Sequence, residues 1–180
     1  MGRTVVQGAG VLTMNLTFLK KSRKTPQVGD IFVMQPPDGA YLFGRVIDTD
    51  ANPLGIGGAI LIYIYQARSK TKEDIPRLSP SDLLVPPMMT NKQPWTRGYF
   101  ETLTTRPLST GDKLQQHCFV RSWTSPKQYF DERGKPVPGP VEPVGDWGLH
   151  SYRTIDDAVS KVLGIPLAPE DNGGGPNQTS

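Results

Sequence analysis

Few residues in this chain have the reach for covalent chemistry: one cysteine, Cys118, and two histidines, His117 and His150. A thiol beside an imidazole can serve as a nucleophile with its general base, the arrangement of thiol hydrolases. His117 adjoins Cys118, but neighbours on a strand point to opposite faces, so these two cannot meet. His150 with Cys118 is the pair that stays open. Neither stands where a helix begins, the setting that lowers a thiol pKa. Cys118 therefore reads as a small buried apolar residue and His117 as a satisfied polar strand residue, and no catalytic residue is assigned.

Metal chemistry has less support. There is no cysteine pair, no His-x-x-x-His spacing and no dense acidic loop, the patterns that hold zinc or calcium. Asp156 and Asp157 open a predicted helix, where carboxylates suit the positive dipole end without any ion. The glycines at 55, 57 and 58 suggest a phosphate cradle, but such a loop should lead from a strand into a helix. Here they lead into the apolar run Ala59–Tyr65. They read as turn residues, and neither a cofactor nor a metal is assigned.

Binding groups are more plentiful. Lys20, Lys21, Arg23 and Lys24 form a basic cluster. It reads as a solvated arm; the competing reading is a nucleic-acid contact, but no aromatic alternates with these charges as a stacking platform would. Trp95, Tyr99, Trp123, Tyr129, Trp147 and Tyr152 lie in or beside loops and strand ends. Trp, Tyr and Arg dominate interface energetics, while aromatics at strand ends also pack the rim of a core.

The elements that must position these groups are mostly strands. With 18 prolines and 19 glycines among 180 residues, the chain suits short strands and tight turns better than a helical bundle. Strands are predicted at Asp30–Met34 and Tyr41–Ile47 around the turn Pro36-Pro37-Asp38-Gly39, with Gly44 marking a bulge or a close backbone approach. Ala59–Tyr65 is apolar without alternation and reads as a central strand covered on both faces. Leu83–Met89 contains Pro86 and Pro87 and should lie at an edge or a bulge. Pro94–Leu103 reads as a strand kinked at Gly98. Gln116–Trp123 alternates, with His117, Phe119, Arg121 and Trp123 on one side. One helix stands out, with Thr154 as N-cap, the stripe Ile155, Ala158, Val159, Val162 and Leu163 facing inward, and Gly164 and Pro166 ending it.

These elements predict a mainly β (α+β) domain: a strongly bent antiparallel sheet, or a partly open small β-barrel, with a C-terminal helix packed on it. Residues 1–26 read as a basic, loosely ordered lead-in holding one short strand at Leu12–Leu19. Residues 27–168 form a single β-rich domain, and 169–180 a disordered tail. The formal charge of +3 and pI near 9.0 are mildly basic. A lone cysteine excludes an internal disulfide and fits a reducing compartment. Val5–Leu19 falls short of the roughly 18 apolar residues a membrane span needs, and its basic residues follow the apolar part, unlike a signal peptide. A soluble, cytoplasmic protein with no membrane partner is expected.

The blocks VGDIFVMQPPDGAYLFGRVI, AILIYIYQ and DLLVPPMMTNKQPWTRGYFETL, followed by DERGKPV and GLHSYRTIDDAVSKVLGI, resemble in order and spacing the bacterial immunity protein 26 family over residues 27–165. The resemblance implies a non-enzymatic cytoplasmic antitoxin that binds and neutralises a cognate polymorphic toxin encoded nearby. Gly29, Asp30, Phe32, Phe43, Gly44 and Trp95 match the family as scaffold. The resemblance transfers no catalytic residue. The candidate toxin contacts are Tyr41, Arg45, Trp95, Arg97, Tyr99 and Trp123, in a protein expected to be a monomer whose partner presents an acidic surface at least as readily as a basic one. The alternative is a small β-barrel that binds nucleic acid through the 20–24 cluster.

Overall fold

A computed structural model describes residues 14–170. Strand β1 (Asp30–Met34) returns through the Pro-Pro-Asp-Gly turn as β2 (Tyr41–Ala51). Gly39 supplies the positive φ, 83°, that closes this turn, and its N–H donates to the Pro36 carbonyl. Next comes β3 (Ala59–Ser69), followed by β4 (Met88–Thr90), a one-turn helix α1 (Gln93–Thr96) and β5 (Glu101–Thr105). The chain continues through β6 (Cys118–Arg121), β7 (Gln128–Phe130), β8 (Val144–Asp146) and β9 (Leu149–His150) to helix α2 (Tyr152–Leu163). One sheet has the order β5-β1-β2-β3-β4-β9 and the other β7-β6-β8. Among the described residues neither sheet closes on itself, and the parallel pairs are β4/β9 and β6/β8. The fold is mainly β with a C-terminal helix, as predicted.

Strand β3 explains the two-layered core. Its side chains alternate: Ile60, Ile62 and Ile64 join Phe32, Met34, Trp95 and Phe100 under the α2 residues Ile155 and Val159. Leu61, Tyr63 and Tyr65 face the other way, into a cluster with Phe119 and Trp147 of the small sheet. The unbroken apolar run is thus the signature of a strand buried on both faces. Opposite Phe32, position 44 must lack a side chain, because a Cβ on Gly44 would overlap the Phe32 ring. Phe32 then stacks on Phe100 at 4.5 Å and meets Trp95 edge-on at 5.2 Å.

Four local expectations are corrected. Pro94–Leu103 is not one strand: Pro94 sits in the first turn of α1, where a missing N–H costs nothing, and Gly98 at φ 90° turns the chain into β5. Leu83–Met89 is not one strand: β4 begins at Met88 and lies between β3 and β9, while Pro86 and Pro87 precede it outside any strand. Helix α2 begins a turn earlier than predicted, because the Ser151 hydroxyl accepts the Thr154 N–H. The lead-in is fastened from Met14 onward, with no strand in residues 14–19. Met14 and Leu16 are buried under α2, and the Asn15 and Leu16 N–H groups donate to the Asp156 carboxylate at 3.1 and 2.7 Å. Residues 1–13, including the start of the strand expected at 12–19, and the tail from 171 lie outside the described residues. Among the described residues no helix is long and apolar enough to cross a membrane.

Candidate binding surface

The groups with chemical reach are committed to structure. Cys118 is 1% exposed. Its sulfur accepts the Val141 N–H at 3.5 Å and lies 3.9 Å from the Gly139 carbonyl, so its polar neighbours belong to the 139–141 loop. His117 is held between Tyr63, 2.6 Å from Nε2, and Glu132, 3.0 Å from Nδ1. The Tyr63 oxygen already accepts the Leu114 N–H at 3.0 Å. Its own O–H is thus free to point at Nε2, while Nδ1 faces the Glu132 carboxylate, so both ring nitrogens have a partner. Burial pushes the Tyr63 phenol up to about 12. The hydrogen bond from His117 holds the Glu132 carboxyl below its ordinary range. His150 is buried with Nε2 unpartnered, and burial lowers its pKa. Among the described residues no group of three or more His, Cys, Asp or Glu is placed to hold a metal.

The six candidate contact residues separate into different roles. Trp95 is 1% exposed and donates its indole N–H to the Thr102 hydroxyl, so it is a core residue and cannot meet a partner directly. Arg45 is buried too. It pairs with Asp112 at 3.1 Å and donates to the Arg106 and Pro107 carbonyls, pinning the 106–112 loop across the sheet. Tyr41 is half-buried against a small cluster of Ile31, Val33 and Phe43. Trp123 lies just beyond β6 in a turn and is 66% exposed. The Arg121 guanidinium sits between its ring and that of Phe130, 5.9 and 4.9 Å from the two centroids.

Arg97 and Tyr99 are brought together, and α2 supplies their missing partner. Tyr99 stacks on Tyr152 at 5.7 Å with the rings nearly parallel, and the Arg97 guanidinium lies 5.1 Å from the centre of the Tyr152 ring. Phe18, 55% exposed, closes the group by lying against Gly98. A side chain at 98 would collide with the Phe18 ring, so glycine serves here both for φ and for close approach. The stack rests on a rigid floor, since Trp95 and Phe100 of the same segment are buried edge to face at 5.1 Å. Reasoning from sequence missed Phe18, whose one available signal was its place in the apolar pair Phe18-Leu19 before a charge run.

The basic cluster continues this surface. Leu19 and Lys20 N–H groups donate to the Gly98 carbonyl, and Ser22 N–H to that of Trp95. The cations at 20–24 are thereby held beside Arg97 and Tyr99. Between residues 20–27 and β5 runs a groove of about 860 Å³, within the size range of ligand-binding clefts. Its two carboxylates are occupied: Glu101 pairs with Lys72 at 3.0 Å, and Asp30 accepts the Gln27 N–H and the Thr105 hydroxyl. The surface as a whole is cationic and aromatic, a composition suited to holding an acidic partner by stacking, hydrogen bonds and charge.

No curated protein and no solved structure matches the chain. The model of one family, described as Immunity protein 26, matches residues 27–128, which span β1 through β6 and the start of β7. That match covers more than half of the chain, and it takes in five of the six strands of the larger sheet, α1 and the floor of the stack. The chain belongs to the immunity protein 26 family.

Proposed function

We propose that this protein is a non-enzymatic, cytoplasmic antitoxin that neutralises a cognate toxin, the product of a neighbouring gene, by direct contact as a monomer in a one-to-one complex. The family supports an immunity role, and such a role asks for a preorganised surface more than for reactive groups. The observation that carries the reading is the stack of Arg97, Tyr152 and Tyr99 beside the basic cluster. Arginine and tyrosine held on a buried floor need little reordering when a partner docks, which is how hot-spot residues bind tightly. Their charge favours an acidic toxin surface. Trp123 on its arginine cradle is a second contact point of the same chemistry.

The test is co-expression with the product of each adjacent gene, scoring growth and co-purification. One neighbour should be toxic alone, and be silenced and bound when this chain is present. Arg97→Ala with Tyr99→Ala should weaken the complex by about 2 kcal/mol or more, and the exposed Arg97→Ala alone should weaken it while leaving thermal stability nearly unchanged. If no neighbour is toxic or bound, the reading fails. Nucleic-acid binding by the 20–24 cluster is the competing outcome. It would appear as binding to short DNA or RNA that falls steeply with salt.

A further inference from the structure

The groove beside β5 has an unusual construction. Among the described residues, strand β5 is the outermost strand of the six-stranded sheet, paired with β1 on one side only. Residues 20–27 run alongside it in the same direction, as a strap tied at both ends. At one end Leu19 and Ser22 bond to Gly98 and Trp95; at the other, Gln27 bonds to Asp30. Thr105 of β5 is tied to that same Asp30 at 2.6 Å. Among the described residues, no backbone hydrogen bond joins the strap to β5 along its length. Alternate N–H and C=O groups of an outer strand point away from its sheet. Those of β5 therefore face the groove, whose opposite wall carries Lys20, Lys21, Arg23 and Lys24.

An open strand edge invites pairing with any extended chain. Here the cations select among candidates. A second copy of this protein would bring its own cations, and like charges would repel it. An extended segment bearing carboxylates would satisfy both walls at once, through backbone pairing to β5 and ion pairs to the strap. We infer that this groove accepts an extended acidic segment of a partner protein as an added β-strand next to β5. The inference rests on the toxin-binding reading and deepens it by naming the chemistry of the partner segment and how it docks.

The test needs no toxin. The full chain is titrated, by fluorescence anisotropy at low salt, with a labelled ten-residue probe alternating glutamate and valine. Three further probes are an alternating lysine and valine peptide, the acidic peptide methylated at alternate backbone nitrogens, and a ten-nucleotide oligothymidine. The acidic probe should bind and slow amide exchange in residues 101–105, whereas the basic and the N-methylated probes should bind at least about tenfold more weakly. Lys21→Glu with Arg23→Glu should reduce acidic-probe affinity by about tenfold, with an unchanged melting curve showing that the fold persists. Equal binding of the N-methylated probe would refute strand addition. Equal or tighter binding of oligothymidine, or no binding of the acidic probe, would overturn the inference. Because the toxin is absent, these failures leave the co-expression result to judge the wider reading independently.

Discussion

Removing the Asp156 carboxylate should release the lead-in from the body of the protein. Asp156 is 1% exposed and accepts the backbone N–H groups of Asn15 and Leu16, at 3.1 and 2.7 Å. Each such bond to a charged acceptor contributes about 1.5–3 kcal/mol. The lower end applies, because burial pushes the Asp156 carboxyl upward and so offsets part of what the two donors contribute. Asp156→Ala should therefore cost about 3 kcal/mol. The loss has a ceiling: once the lead-in peels away, its N–H groups meet water, and what disappears is the burial of Met14 and Leu16, about 1.5–3 kcal/mol each. Urea unfolding should show the midpoint falling by roughly 1 M or more. Hydrogen exchange should accelerate at residues 15–22 before it does so in β3. Asp156→Asn, which keeps one acceptor oxygen, should lose about half as much. A midpoint for the alanine variant within about 0.2 M of the parent, with exchange at residues 15–22 unchanged, would refute the reasoning.

Three further outcomes follow from other contacts. Gly44→Ala forces a methyl into the Phe32 ring and should cost about 1–3 kcal/mol by overpacking, read as a lowered thermal midpoint. Stability should decline in two steps on acidification. His150, whose folded pKa is depressed by burial, takes up a proton on unfolding once pH falls below about 6.5. Glu132 and Asp112, also depressed in the fold, lose their contribution as pH falls through and below the ordinary carboxylate range. His150→Gln should flatten the first step and keep the second, as followed by urea midpoints from pH 8 to pH 3. Native Cys118 should resist iodoacetamide and react only after unfolding, which mass spectrometry would record; rapid native alkylation would contradict the burial seen at the 139–141 loop.

What was legible in the sequence was what local pattern encodes. Ala59–Tyr65 announced a strand covered on both sides, Gly44 a close approach, and the Ile155–Leu163 stripe a helix lying on the sheet, although Val162, expected to face inward, is exposed. What escaped depends on contacts between distant segments. Strand β8 spans Val144–Asp146 only, too short to show alternation inside a proline-rich loop, and it exists because β6 offers it an edge. Trp95 looked like an exposed anchor because its propensity fits a strand; Pro94 and Gly98 turn it into the core. Arg97 and Tyr99 were identified singly, but the stack they form needs Tyr152, which reaches them only through the docking of α2. Likewise nothing local told that Asn15 and Leu16 would find their acceptor at Asp156.

The family match and the folding unit do not coincide. The matched stretch stops at residue 128, the first residue of β7, and so excludes β8, β9 and α2. Strand β3 is a wall shared by two hydrophobic rooms, and each is roofed from outside the match: one by Met14, Leu16, Ile155 and Val159, the other by Trp147. A gene fragment cut at the family boundaries would expose both faces of its most apolar strand and behave as an aggregating intermediate. Chimeras within this family therefore need junctions that carry the lead-in and α2 together, because each is the other's anchorage.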